Sequence, residues 1–89
     1  ELLQNYPNPF NQQTNILFTL PHAGEVEATI YTITGRVVRR MAGGRLAAGV
    51  HRRQWDGRDE EGRAAASGLY LCRLRFQQQY RVIKLQLLR

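Results

Sequence analysis

Four carboxylates stand close together between residues 55 and 70: Asp56, Asp59, Glu60 and Glu61. Oxygen ligands crowded into one loop could hold a calcium ion. Their spacing does not follow the EF-hand pattern, and Arg58 and Arg63 beside them offset their charge. The stretch is therefore interpreted as a solvated turn, with calcium binding left as the alternative.

Other catalytic and metal-ligating patterns are weak. His22 and His51 have no Cys, His or carboxylate at metal-ligand spacing. Ser67 lies in a glycine turn without a strand-to-helix elbow, and nothing near Cys72 would lower the pKa of its thiol. No glycine-rich phosphate loop opens a helix. The sequence therefore predicts neither an enzyme nor a bound cofactor or metal.

Exposed aromatic side chains offer a second kind of chemistry, because their rings can stack on sugars. The candidates are Tyr6, Tyr31, Trp55 and Tyr80. Carbohydrate binding requires them to share one surface. The alternative is that Trp55 and at least one tyrosine belong to the core, which so small a domain needs to fill.

Composition bounds the remaining possibilities. The 89 residues are expected to form one domain, 1–89, with a net charge of +6. This charge favours acidic partners, but the arginines are dispersed without interleaved aromatics, so no nucleic-acid site is predicted. The single cysteine cannot form an internal disulfide, and no apolar run reaches the 18 residues of a membrane span. A start without Met suggests a piece of a longer protein, with any export signal upstream.

Alternating apolar and polar residues predict short strands throughout the chain. The expected strands are 15–20, 25–33, 36–41, 50–55, 69–76 and 80–88. Three of them place a set of mainly apolar residues on one face, which is expected to be inward: Ile16, Phe18 and Leu20; Tyr70, Cys72, Leu74 and Phe76; and Ile83, Leu85 and Leu87. Residues 2–11 contain two prolines and are expected to form an extended lead-in pinned by Tyr6 and Phe10. The glycines of 42–44 predict a connection, and the inward side of 36–41 is ambiguous.

The 55–70 stretch is predicted to be a long connection between two strands, because Gly57, Gly62 and Gly68 can adopt positive φ. Trp55 and Tyr70 are expected to anchor its ends in a shared core. Arg53 breaks an otherwise inward-facing pattern, so its aliphatic stem must lie along the interior with the guanidinium at an edge. Six or seven strands without a convincing helix predict an all-β, antiparallel immunoglobulin-like β-sandwich.

Several short motifs occur in a recognisable order. They are Tyr6-Pro7-Asn8-Pro9-Phe10-Asn11, Thr34-Gly35-Arg36, Trp55-Asp56-Gly57, Ser67-Gly68-Leu69-Tyr70 and Lys84-Leu85-Gln86-Leu87-Leu88. Together they resemble the type A C-terminal sorting domain of type IX secretion cargo, which is similar to the immunoglobulin-like domain of the flagellar hook-capping protein. The resemblance covers nearly the whole chain.

That resemblance implies a domain appended to a secreted protein, directed through the outer-membrane type IX translocon and then cleaved by its sortase during surface attachment. It implies passage through the periplasm to the cell surface. The implied motif residues are Pro7, Asn8, Pro9, Gly68, Tyr70, Lys84, Leu85, Leu87 and Leu88. Arg53 stands where the family usually has an apolar residue, and Gln86 interrupts the apolar tail.

Physical chemistry adds one expectation to the resemblance. An apolar last strand can be recognised by strand addition, in which backbone hydrogen bonds give affinity and side-chain pockets give specificity. Residues 80–89 are therefore the expected recognition element. The competing interpretations are a carbohydrate-binding module and a hook-cap-like structural module.

Overall fold

The computed structural model describes residues 3–89, which form strands joined by turns and loops, without a helix. The strands are β1 (Leu3–Tyr6), β2 (Thr14–Leu20), β3 (Gly24–Thr32), β4 (Val37–Leu46), β5 (Gly49–Trp55), β6 (Gly68–Phe76) and β7 (Gln79–Leu87). No helix within 3–89 has the length and apolarity to cross a membrane.

The strands form two antiparallel sheets. The first has the order β1-β2-β5 and the second β4-β3-β6-β7. The predicted immunoglobulin-like sandwich of six to seven strands is thereby confirmed. β7 lies at an edge of the larger sheet and takes β6 as its strand partner.

The inner faces of the two sheets supply the core. Ile16, Phe18 and Leu20 of β2 are buried, as the alternation predicts, and Leu85 and Leu87 of β7 are fully buried. The core has two parts, one around Trp55, Phe10 and Tyr70 and one around Phe18 and Phe76. The residues predicted to be inward on β2, β6 and most of β7 are therefore the ones that pack.

β4 departs from the prediction, because residues 42–44 continue the strand instead of forming a connection. They pair with β3, Ala42 opposite Ala28 and Gly43 opposite Glu27. Register shifts between Ala28 and Thr29 and between Ile30 and Tyr31 show two irregularities in this pairing. Each extra residue reverses the in-out alternation, which explains why the inward side was ambiguous.

The lead-in is pinned by one aromatic rather than two. Phe10 is buried, whereas the Tyr6 side chain is 80% exposed, so the predicted anchoring role of Tyr6 is wrong. The segment also contains β1, which pairs with β2 as an edge strand. Both peptide bonds preceding Pro7 and Pro9 are cis. Leu2, part of the predicted lead-in, lies outside the described residues.

Candidate functional site: the motif junction

Asn8 hydrogen bonds to the outer edge of β7 as a neighbouring strand would. Its Nδ2 donates to the carbonyl oxygen of Lys84 at 2.9 Å, and its Oδ1 accepts from the backbone N–H of Gln86 at 3.0 Å. One side-chain amide thus satisfies a donor and an acceptor that an edge strand leaves open. The two ends of the chain meet at this contact.

Phe10 extends the same edge through its backbone. Its N–H donates to the Gln86 carbonyl at 2.9 Å, its carbonyl accepts from Leu88 N–H at 2.8 Å, and it forms a parallel bridge with Leu87. Its ring lies 5.5 Å from that of Trp55, whose ring is in turn 5.4 Å from Tyr70. This aromatic row fixes the segment against the core.

The Gly-x-Tyr motif lies on the other side of β7. Gly68 is opposite Leu87 and Tyr70 is opposite Leu85 in the β6–β7 register. Pro7, Asn8, Pro9 and Lys84 are exposed, Leu85 and Leu87 are buried, and Leu88 is 44% exposed. The three motifs that are far apart in sequence therefore converge on the C-terminal half of β7. We call this region, residues 7–10, 68–70 and 84–88, the motif junction.

A polar network supports the turn that presents Asn8. Oγ1 of the buried Thr14 donates to the Pro7 carbonyl at 2.8 Å and accepts from Asn5 Nδ2 at 3.1 Å. Asn5 Oδ1 in turn accepts from Asn8 Nδ2 at 3.3 Å. Sequence reasoning missed Asn5 and Thr14. The sequence feature that could have indicated their role is that both are polar residues flanking the Pro-Asn-Pro motif.

Arg89 ties the end of the described chain to the β5–β6 loop. Its guanidinium donates to the carbonyls of Ala65 and Gly57, each at 2.6 Å, and its backbone N–H donates to Ser67 Oγ at 2.8 Å. Nothing in the local sequence of Arg89 indicates this contact, because its partners lie 22–32 residues away.

The acidic loop engages its carboxylates in internal hydrogen bonds. Asp59 Oδ1 accepts from the backbone N–H groups of Arg63 at 2.9 Å and Glu61 at 3.0 Å. The N–H of Arg63 foremost, with that of Glu61 and the Arg63 guanidinium, holds the pKa of the Asp59 carboxyl below its ordinary value. Among residues 3–89, no group of three or more His, Cys, Asp or Glu side chains is placed to hold a metal ion.

Of the other acidic residues in this loop, Glu61 accepts a hydrogen bond from the Arg63 guanidinium at 3.4 Å, and Asp56 and Glu60 contact the adjoining strand. Asp56 Oδ1 accepts from Arg58 N–H and lies 3.3 Å from an Arg39 guanidinium nitrogen, and Glu60 accepts from the backbone N–H of Arg40. These contacts attach the loop to β4. The positive φ values of Gly57 and Gly62, 76° and 84°, let the chain reverse at the predicted glycines.

The sequence predicts no activated nucleophile at Cys72, and the aromatic residues considered for sugar stacking do not form one surface. Burial raises the pKa of the Cys72 thiol to about 12, so the thiolate is disfavoured at neutral pH. Trp55 is fully buried, and its indole N–H donates to the Arg58 carbonyl at 2.9 Å. Tyr6 lies on the smaller sheet and Tyr31 and Tyr80 on the larger one. The four aromatics therefore do not share one surface, and the core alternative is correct for Trp55 and Tyr70.

Fold and site together define an immunoglobulin-like module in which a Pro-Asn-Pro turn covers the open edge of the last strand, β7. Residues 5–78 match the family described as the FlgD Ig-like domain, and the chain belongs to that family. A 48-residue segment is 46% identical to the basal-body rod modification protein FlgD of Salmonella typhimurium, and the same holds for Salmonella typhi. That match covers 54% of this chain but only 21% of the length of each relative.

Solved structures extend the likeness over the whole fold. FlgD from P. aeruginosa superposes with a TM-score of 0.64 at 26% identity, covering 85% of this chain and 64% of that one. PorZ of Porphyromonas gingivalis, a surface component of the type IX secretion system, gives a TM-score of 0.72 at 19% identity. The PorZ match covers 98% of this chain and 11% of PorZ, and at that identity it shows a shared fold.

Proposed function

We propose that this domain is a non-catalytic, hook-cap-like structural module of a longer protein, equivalent to the Ig-like module of FlgD. The observation that carries the proposal is the family match over residues 5–78, supported by the 46% identity to FlgD. The side-chain chemistry agrees with it, because the acidic loop, Trp55 and Thr14 are engaged in holding the fold together.

A chimera tests this function. Residues 1–89 replace the Ig-like module of Salmonella typhimurium FlgD, and hook assembly and swimming are scored in a strain lacking native FlgD. We expect hooks to form, because the module supplies the same sandwich. A chimera that is expressed and folded but assembles no hooks contradicts the proposal. A chimera carrying Trp55→Ala, which removes the centre of the aromatic row, is the negative control.

A second candidate is favoured by the motif junction. The Pro-Asn-Pro, Gly-x-Tyr and final-strand motifs of the type IX sorting domain meet on one strand, although they are far apart in the sequence. In this proposal the domain passes through the periplasm and is recognised by the outer-membrane translocon. The sortase then attaches the protein that carries the domain to the cell surface. Such convergence is what a single receptor surface requires.

Reporter export distinguishes the two candidates. Residues 1–89 are fused to the C-terminus of a periplasmic reporter in Porphyromonas gingivalis, and surface display is measured. Sorting predicts display that is lost when Lys84–Arg89 is deleted and is reduced by Asn8→Ala. Display should be unchanged by Gln13→Ala, because the exposed side chain of Gln13 lies outside the motifs. A reporter that stays in the periplasm with the intact domain rejects the sorting candidate.

A further inference from the structure

The outer face of the larger sheet exposes a group of apolar side chains beside a central cation. Ile33, Val82 and Tyr80 are 64, 53 and 52% exposed. Tyr31 and Leu71 are half-buried between them, with Tyr31 opposite Leu71 in the β3–β6 register. We call Tyr31, Ile33, Leu71, Arg73, Tyr80 and Val82 the outer patch. It faces away from the core, so core packing does not account for these apolar residues.

Arg73 lies at the centre of the outer patch, in contact with two tyrosine rings. Its guanidinium carbon lies 5.1 Å from the ring centroid of Tyr31 and 5.0 Å from that of Tyr80. One of its terminal nitrogens donates to the Tyr31 hydroxyl at 2.9 Å. Contacts with two rings fix a side chain that would otherwise lose rotamer freedom on binding. The patch is therefore prepared in advance to receive a negative group.

The charges near the outer patch are positive. A shallow groove of about 380 Å³ on this face is lined by uncharged residues and Arg73. Lys84 is exposed on the same face, next to Leu71. Glu27, the nearer of the two acidic residues on β3, is paired with Arg75 at 3.5 Å. A complementary surface must therefore bring apolar side chains together with carboxylates.

A second copy of the chain does not meet this requirement. In a twofold dimer through this face, Arg73 and Lys84 would approach their own copies, and like charges at an interface are unfavourable. With strands about 4.8 Å apart and a rise of about 3.4 Å per residue, the face covers on the order of 300 Å². Two such faces in contact would bury about 600 Å² in total, which is below the roughly 1,000 Å² typical of stable complexes, so the face suits transient docking.

We propose that the outer patch docks an apolar, acidic segment of a partner protein, with carboxylates received by Arg73 and Lys84. The inference rests on the proposed function only in that a non-catalytic module acts through a surface. The motif junction lies at the edge of β7, whereas the outer patch lies on the face of the sheet. The two regions can therefore be disabled separately.

A peptide titration followed by ¹⁵N–¹H NMR tests the proposal. The probe is an extended peptide in which every second residue is alternately leucine and aspartate, with glutamine between. We expect saturable shifts confined to the outer patch, and at least a fivefold weaker affinity in Arg73→Gln and in Val82→Ser. Val50→Ser is the matched control, since Val50 is a 68% exposed strand valine on the smaller sheet, and it should bind normally.

Peptide variants decide between the possible occupants. Replacing aspartate by lysine, or leucine by serine, should abolish the shifts. The proposal is overturned if the acidic peptide leaves the outer patch unperturbed, if the lysine peptide binds as well, or if polygalacturonate binds there in its place. A concentration-dependent dimer that Arg73→Gln strengthens would identify a second copy as the occupant and would also overturn it. None of these outcomes depends on hook assembly or export.

Discussion

Two buried threonines differ in whether the side-chain hydroxyl has a hydrogen-bond partner, and this difference should affect the stability of the domain. Thr14 Oγ1 has two partners, whereas Thr29 Oγ1 is buried and has no hydrogen-bond partner in the structure. A buried hydroxyl without a partner has lost its hydration and gained nothing in return. The same substitution at the two positions should therefore change stability in opposite directions.

We expect Thr29→Val to raise the free energy of unfolding by about 1 kcal/mol, because valine keeps the shape and removes the unsatisfied group. Thr14→Val should lower it by about 1–2 kcal/mol, because Pro7 and Asn5 lose their partner. Urea unfolding followed by Trp55 fluorescence measures both. Equal changes at the two sites would contradict this account of Thr29.

Gly57 is constrained twice, by its backbone and by Arg89. A Cβ added there would lie 2.6 Å from an Arg89 terminal nitrogen, whereas a Cβ at Gly62 meets nothing within 4 Å. Both residues have positive φ, which costs a non-glycine residue about 1–2 kcal/mol. At Gly57 the guanidinium must also leave the loop carbonyls that it binds.

Gly57→Ala should therefore destabilise the domain by about 1 kcal/mol more than Gly62→Ala, the value of the displaced hydrogen bonds. In an Arg89→Ala background the two alanine substitutions should cost the same. Chemical denaturation of the five variants measures the cycle. A difference that persists without Arg89 would show that it arises elsewhere.

At the scale of elements, the edge of β7 is protected by the Asn8 side chain and the Phe10 backbone instead of a full strand. Open edges invite pairing with other chains, and Asn8 and Phe10 cover the half of β7 that carries the final motif. Strand addition at this half would first have to displace Asn8. Recognition of residues 80–89 by strand addition therefore requires that the hydrogen bonds between Asn8 and β7 break first.

Asn8→Ala should lower the free energy of unfolding by about 1 kcal/mol, since both hydrogen bonds are exposed and water partly replaces them. Amide exchange of Gln86 should become faster, while that of Ile83, on the same strand, should stay unchanged. Hydrogen exchange followed by NMR measures this. Asn11→Ala is the control, and unchanged exchange of Gln86 in Asn8→Ala would show that Asn8 does not protect the edge.

On the scale of the whole molecule, many of the positively charged residues lie on strands at the edges of the two sheets. Seven of the cations lie on the edge strands β4, β5 and β7: Arg39, Arg40, Arg45, Arg52, Arg53, Arg81 and Lys84. Charges on edge strands oppose edge-to-edge association. This distribution accounts for the dispersion of these cations along the sequence.

The double variant Arg40→Val and Arg45→Val on β4 should associate at concentrations where the native domain is monomeric. Arg36→Val with Arg58→Val removes the same charge from a turn and a loop and should remain monomeric. Sedimentation velocity over a concentration series distinguishes them. Equal association of both variants would assign the effect to net charge instead of position.

The sequence predicted the strands correctly wherever apolar and polar residues alternate without interruption. Ile16, Phe18 and Leu20 were predicted inward on that basis, and the loop glycines were predicted from their backbone freedom. β4 was cut short because register shifts break the alternation and Gly43-Gly44 resembles a turn. The motif junction could not be predicted from the sequence, because the Asn8–Gln86 contact joins residues 78 positions apart and depends on how the two sheets meet.

The parallel bridge between Phe10 and Leu87 has a mechanical consequence. Once β1 has separated from β2, pulling outward on the two ends of this domain draws residues 8–10 and 84–88 in opposite directions along their shared axis. The hydrogen bonds between them are then loaded together in shear, and they must break at once instead of one by one. A module joined to a larger protein through its ends would transmit tension across this junction before its sheets separate.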